Sequence, residues 1–171
     1  MELAVQTRFP YETAVHCTVK TGAPTEANLR VRIPSWAAKE MKISVNGKPS
    51  GVGIPGTYIS LSRRWTNGDT LDFMLPAVVR ATAYKGADQI AGKTRYALEY
   101  GPILLAAVGS DDARTSIDAG MDAVEFASRL EPIEGKPLHF RIRGSSGLEF
   151  MPYWQVSDEE FTCYPAVRSS A

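Results

Sequence analysis

Residues 41–75, MKISVNGKPSGVGIPGTYISLSRRWTNGDTLDFML, decide the fold class. Apolar side chains take every second position at Ile43 and Val45, at Ile59 and Leu61, and at Leu71, Phe73 and Leu75, with mostly polar neighbours between them. That period gives each strand one packed and one wet face. It is the pattern of antiparallel sheets, since parallel sheets covered by helices read as continuous apolar runs. Asn46-Gly47 and Asn67-Gly68 punctuate the strands, and Asn-Gly suits the two positive-φ positions of a tight hairpin turn. The reading expects a loop over 50–56. It also expects Asn67-Gly68 to be the tight turn joining the strand at 59–61 to that at 71–75, with Trp65 over the adjacent core edge.

Working outward, the same alternation runs through Val15, Cys17 and Val19, and through Leu29, Val31 and Ile33. Residues 94–108, TRYALEYGPILLAAV, read as a central apolar strand, or two strands broken at Gly101-Pro102, where proline removes a ladder donor. Strand patterns return at 138–142, 148–151 and 161–164. Two stretches look helical. One is a turn over 35–41 with Ser35 as N-cap; the other is 122–130, from the spacing of Val124, Phe126, Ala127 and Leu130. Residues 109–137, which include the second of these, read as an irregular, acidic excursion. The expected fold is all-β: one antiparallel β-sandwich over 1–171, jelly-roll-like, with one or two short helical turns.

Composition agrees with a packed chain. Of 171 residues 44% are hydrophobic, 9% aromatic and 22% charged, far from the depleted pattern of disorder. Nineteen basic and nineteen acidic residues balance and are interleaved, so no basic field exists for a phosphate backbone and nucleic acid is not an expected partner. Apolar runs such as 103–108 fall far short of the ~20 residues that span a bilayer, so no membrane partner is expected either. The start, MELAVQTRFP, lacks the layout of a signal peptide. A strand begins almost at once, as expected if Met1 heads a piece of a longer protein, which leaves the compartment open. Cys17 and Cys163 sit in no C-x-x-C. They read as small apolar strand residues, with a disulfide between first and last strands as the alternative.

Few residues carry a chemical signal. The carboxylate pairs are Asp69 with Asp72, Asp111 with Asp112, and Glu159 with Glu160, and acid–base catalysis would need one of them to face a cleft. Asp69 directly follows Asn67-Gly68 and reads as a turn aspartate bonded to backbone. His16 alternates with core positions and should face water or an interface; His139 lies in a late strand. There is no G-x-S-x-G, no Cys paired to a nearby catalytic His motif and no phosphate-cradling glycine loop. The acidic stretch from Ser110 through Asp118 to Asp122 has no EF-hand spacing and reads as a solvated loop rather than a calcium site. Trp36 and Trp65 lie where strands end and read as core-rim residues. Tyr153 and Trp154, in Met151-Pro152-Tyr153-Trp154, fall outside clear alternation and are the candidate contact residues, for another domain or for a sugar.

Several motifs fall in one order. Thr7-Arg8-Phe9-Pro10-Tyr11 is followed by Leu29-Arg30-Val31-Arg32-Ile33-Pro34-Ser35-Trp36, Val45-Asn46-Gly47 and Gly56-Thr57-Tyr58-Ile59. Then come Arg64-Trp65-Thr66-Asn67-Gly68-Asp69, Leu98-Glu99-Tyr100-Gly101-Pro102-Ile103, and Pro152-Tyr153-Trp154 with the strand at 161–164. The series resembles the C-terminal accessory β-sandwich region that follows the catalytic barrel in glycoside hydrolase family 127, the β-L-arabinofuranosidase-like proteins, many long described only as a domain of unknown function. The resemblance implies hydrolysis in an (α/α)6 barrel with a cysteine nucleophile and a zinc site, none of it in this chain. Cys17 follows Val15-His16 and Cys163 follows Phe161-Thr162, so neither reproduces the family's Glu-x-Cys element. No catalytic, cofactor-binding or metal-binding residue transfers; zinc is implied only for the barrel. The implied partner is that barrel, and the chain alone is expected to be inactive. The alternative is an independent carbohydrate-binding module with glycan as partner.

Overall fold

The computed structural model describes residues 1–117, 122–145 and 147–168. It divides into two compact units, Met1–Ala77 and Val78–Ala171, and two hydrophobic cores form where the sequence suggests one sandwich over 1–171.

The first unit holds β1 (Glu2–Thr7), β2 (Ala14–Lys20), β3 (Thr25–Arg32), β4 (Met41–Val45), β5 (Lys48–Gly53), β6 (Tyr58–Trp65) and β7 (Thr70–Met74). Five strands form a sheet in the order β1-β2-β7-β4-β5, and β3 with β6 forms a two-stranded ribbon. Every pairing is antiparallel. The alternating positions converge as the sequence requires: Val15, Cys17, Val19, Ile43, Val45 and Leu71 from the sheet share one core with Ile59, Leu61 and Trp65 from the ribbon. Trp65 is not a rim residue. It is fully buried, and its Nε1 donates to the Ala27 carbonyl at 3.1 Å, the partner a buried indole needs.

The two Asn-Gly pairs behave differently. At Asn46-Gly47, φ is +51° and +73° and Val45 pairs with Lys48 across a two-residue hairpin. At Asn67-Gly68 only Gly68 is left-handed, at φ +90°. Its N–H donates to the Val19 carbonyl at 2.8 Å. The segment leads from β6, paired along its length with β3, to β7, paired with β2 and β4. The expected hairpin is therefore a connection between sheets.

The expected loop over 50–56 is largely β5. Its glycines hid the strand, and packing explains them: a Cβ on Gly53 would lie 2.6 Å from both Ile33 Cγ1 and Ile59 Cγ1. The expected helical turn over 35–41 is only one tight turn, closed by Ala37 N–H to the Pro34 carbonyl at 3.1 Å.

The second unit contains β8 (Val79–Ala83), β9 (Lys93–Tyr100), β10 (Ile103–Gly109), α1 (Asp111–Thr115), α2 (Ala123–Ser128), β11 (Leu130–Pro132), β12 (Phe140–Ile142), β13 (Leu148–Pro152), β14 (Phe161–Thr162) and β15 (Ala166–Arg168). The sheet runs β11-β12-β13-β10-β9-β15, with β8 also on β9 and β14 also on β10. The 94–108 stretch is thus two central strands broken at Gly101-Pro102, with Gly101 at φ +58°. Strand β12 starts later than the expected 138 because Leu138 adopts φ +64°.

The excursion over 109–137 is not simply irregular. Asp122 caps α2 by accepting from Glu125 N–H at 2.8 Å, and Ile117, Phe126 and Leu130 enter the core. Phe126 meets Tyr96 and Phe150 at ring-centroid distances of 5.7 and 6.0 Å. Val124, counted in the apolar spacing of α2, is exposed. Among the described residues no helix is long and apolar enough to cross a membrane.

Candidate functional site

Directly opposed residues in neighbouring strands point to the same face. In the second unit one row follows from register: Glu131 opposes Arg141, Arg141 opposes Glu149, Glu149 opposes Val108, and Val108 opposes Phe161. The adjacent row, Phe140, Phe150 and Ala107, is buried core, so the first row is the outer face.

That face is polar and cross-linked. Arg141 Nε donates to Glu131 at 2.9 Å, and Lys136 Nζ donates to Glu149 at 2.9 Å. His139 Nδ1 is bonded to Glu149, and its Nε2 meets Gln155 Oε1 at 2.7 Å. Burial would raise the Glu149 carboxyl, but hydrogen bonds from His139 and Lys136 and their charge outweigh it and hold the group below its ordinary range.

The candidate contact residues sit at the edge of this network. Pro152 ends β13 opposite Leu105, and Tyr153–Gln155 form a single 3-10 turn. Gln155 ties that turn to His139. Tyr153 and Trp154 stay 54% and 46% exposed, with rings edge-on at 5.8 Å. The structure therefore does bring the pair together on the surface.

The acidic pairs sort differently from their sequence order. Asp69 is buried at its turn, accepting from Thr66 N–H at 2.9 Å and from Asn46 Nδ2 at 2.8 Å. Asp72 instead bonds His16 Nδ1 at 2.5 Å, on the half-exposed face of β2 and β7. Asp111 and Arg114 of α1 line one solvent-open depression of about 530 Å³ together with Glu159, Glu160 and Phe161. Sequence order gave no sign of this grouping, because some 45 residues of chain separate the two acidic segments. Of the suggested calcium ligands, Asp111 faces Arg114 and Asp122 caps α2, while Asp118 lies outside the described residues. Among the described residues no group of three or more His, Cys, Asp or Glu is arranged to hold a metal ion.

Trp36 and Tyr58 are engaged. Trp36 stacks on Phe9 at 5.5 Å, and Arg30 lies 4.7 Å over the Tyr58 ring. Both cysteines are free thiols, Cys17 buried in the first core and Cys163 partly buried. Burial raises both thiol pKa values.

Asp69 gives the first prediction. Its carboxyl is held below the ordinary aspartate range by the Thr66 backbone N–H first and the Asn46 amide second, against burial, which raises it. A depressed folded value means a stabilisation that is complete above the unfolded aspartate pKa of about 3.9 and is lost as pH falls through that value toward the lower folded one. Asp69→Asn should therefore lower the urea midpoint at pH 7 but approach the parent below pH 4. Equal midpoint differences at pH 7 and pH 3 would reject this role.

Fold and surface define an all-β chain whose second unit carries a polar, aromatic-edged outer face. Likeness to known proteins is more specific. Residues 1–77 match the family model for the middle domain of glycoside hydrolase family 127 β-L-arabinofuranosidases, and the match ends at the boundary of the first unit. Solved structures agree in fold. A glycoside hydrolase matches with TM-score 0.66 and 20% identity, over 97% of this chain and 32% of its own. A family 127 β-L-arabinofuranosidase from Geobacillus stearothermophilus T6 matches with TM-score 0.65 and 21% identity, over 98% and 30%. A family 127 β-arabinofuranosidase matches with TM-score 0.61 and 19% identity, over 98% and 31%. The chain thus spans about a third of the length of these proteins. Among curated proteins no sequence matches. The resemblance to family 127 in sequence is shown over the first unit, where the matching family model describes a middle domain; over the second unit the solved structures show likeness of fold.

Proposed function

We propose that the chain works as the non-catalytic β-rich part of a family 127-type glycoside hydrolase, packing against and supporting an (α/α)6 catalytic barrel outside these 171 residues. The observation that carries this reading is the exposed Tyr153–Trp154 pair, held on a turn that Gln155 anchors through His139 to Glu149. Large aromatics on a fixed backbone bury much area at little entropic cost, which is why such residues act as anchors in interfaces. Interdomain contacts commonly bury 600–1,500 Å², so a few anchors of this kind dominate them. The match of the first unit to a middle domain, and solved relatives about three times as long, support a role beside a larger domain. Supporting an enzyme in this way needs no nucleophile or metal in the chain itself.

The test is association with a separately expressed barrel. Trp154→Ala should leave the far-UV circular dichroism and urea midpoint of the chain nearly unchanged, because Trp154 contributes little to its own core. It should weaken association roughly 30-fold, the loss of one aromatic anchor worth about 2 kcal/mol. An unchanged dissociation constant would remove Trp154 from the interface.

A further inference from the structure

We propose that the Thr18 hydroxyl is a nucleophile, with His16 as its base and Asp72 positioning that base, and that it accepts the acyl group of a small ester with a good leaving group. This goes beyond the docking reading and does not rest on it, because the site lies in the first unit and uses neither Tyr153 nor Trp154.

The register of three strands builds the site. Ala4 opposes Thr18, Thr18 opposes Thr70, and His16 opposes Asp72. Val15, Cys17, Val19 and Leu71 alternate with these positions and are buried, so His16, Thr18, Thr70 and Asp72 share the outer face of the sheet. His16 Nδ1 meets Asp72 Oδ1 at 2.5 Å, and His16 Nε2 meets the Thr18 hydroxyl at 3.3 Å. Thr70 Oγ1 donates to the second Asp72 oxygen at 3.3 Å, so both oxygens of that carboxylate are engaged. Hydrogen-bond capacity assigns the roles. An ionised carboxylate only accepts, so Nδ1 carries the proton donated to Asp72, and in the neutral imidazole Nε2 is left to accept from the Thr18 O–H.

A hydroxyl bonded to a base that a third group orients is the constellation of acyl transfer, recognised by geometry and roles rather than by order in the sequence. Cys17 is no rival nucleophile. It lies on the opposite, buried face, and burial first and the Asp72 charge second hold its thiol above the ordinary range. Across the strands Thr18 has only the short side chains of Ala4 and Thr70 as neighbours, which leaves room for an ester carbonyl to approach. In the step, a bond forms between Thr18 Oγ1 and the acyl carbon while the hydroxyl proton passes to His16 Nε2. The bond from that carbon to the leaving oxygen breaks, and the alcohol departs with its electron pair and takes up a proton from His16 or water. Water then cleaves the acyl-threonine, with His16 again as base. On so open a face water competes for every group aimed at the developing oxyanion, so turnover is slow and the acyl group is read best as a label on the protein.

The experiment treats the chain with p-nitrophenyl acetate, follows release of p-nitrophenolate, and maps the acetyl group by peptide mass spectrometry. The acetyl group should be found on Thr18. Thr18→Ser should keep the labelling and Thr18→Val should abolish it. His16→Gln should slow it roughly 100-fold, the lower end for loss of a general base. Asp72→Asn should slow it by roughly tenfold or more, with a second signature proper to a positioning residue. In nitrogen-15 NMR of the neutral ring the parent His16 should be the Nδ1–H tautomer, and Asp72→Asn should shift it toward Nε2–H. All three positions are half-exposed, and far-UV circular dichroism checks that each variant folds. Acetyl found on His16 or on lysines with Thr18 unmodified, labelling at the parent rate in Thr18→Val, or an Nε2–H tautomer in the parent would each overturn the proposal. None of these outcomes bears on association through Trp154, so the two readings fail separately.

Discussion

Trp65→Ala should destabilise the first unit by about 3–5 kcal/mol, the range for deleting a large aromatic from a packed core. Trp65 is fully buried at the end of β6, among the side chains of both layers. Truncation loses its burial, leaves a cavity that two hydrogen-bonded layers cannot easily close, and strips the Ala27 carbonyl of its indole donor. Arg63, 5.0 Å over the ring, loses its aromatic partner as well. Domains have only about 5–15 kcal/mol of total stability, so the change should be plain in urea melts followed by far-UV circular dichroism. Trp65→Phe separates the contributions: it keeps an aromatic ring but lacks the N–H, and should cost about 1–2 kcal/mol. A midpoint for Trp65→Ala within error of the parent would show that this residue does not close the core.

Phe126→Ala should have an effect of similar size, about 3–5 kcal/mol, in the second unit. Here the consequence is also local. Helix α2 has six residues, well below the ~12–15 at which an isolated helix becomes even marginal in water. Its Asp122 cap contributes roughly 1 kcal/mol, which cannot hold it alone. What keeps α2 helical is the Phe126 ring against Tyr96 and Phe150. The variant should therefore lose hydrogen-exchange protection at the amides of α2 well before β9 and β10 open. Phe126→Leu, nearer in volume, should cost less than ~1.5 kcal/mol and keep that protection. Parent-like protection of α2 in Phe126→Ala would mean that the ring is not what holds the helix.

Much of the strand content was legible because alternation is a local signal. Cys17, Ile43, Val45 and Leu71 each sit in the core as their period requires, and Asn46-Gly47 turns where its chemistry says it must. Strand β5 escaped notice because its glycines, which look like loop residues, are there to let Ile33 and Ile59 approach. Strands β8, β11 and β15 are short and take their stability from neighbours distant in sequence. The exposed Tyr153–Trp154 pair could be found as a break in alternation. The grouping of Asp111 and Arg114 with Glu159, Glu160 and Phe161 could not.

Local sequence is enough to make this chain antiparallel and all-β, to say which residues of the alternating strands face a core, and to place the Asn46-Gly47 turn, because strand period and turn conformation are properties of a few adjacent residues. Tertiary structure alone decided which strands pair, that Asn67-Gly68 crosses between sheets instead of closing a hairpin, and that two cores form rather than one. It also decided that Phe126 is central and that five residues from two distant segments share a depression. Those choices depend on hydrogen-bond partners and burial contributed by residues far along the chain, and no local pattern encodes which distant partner will supply them.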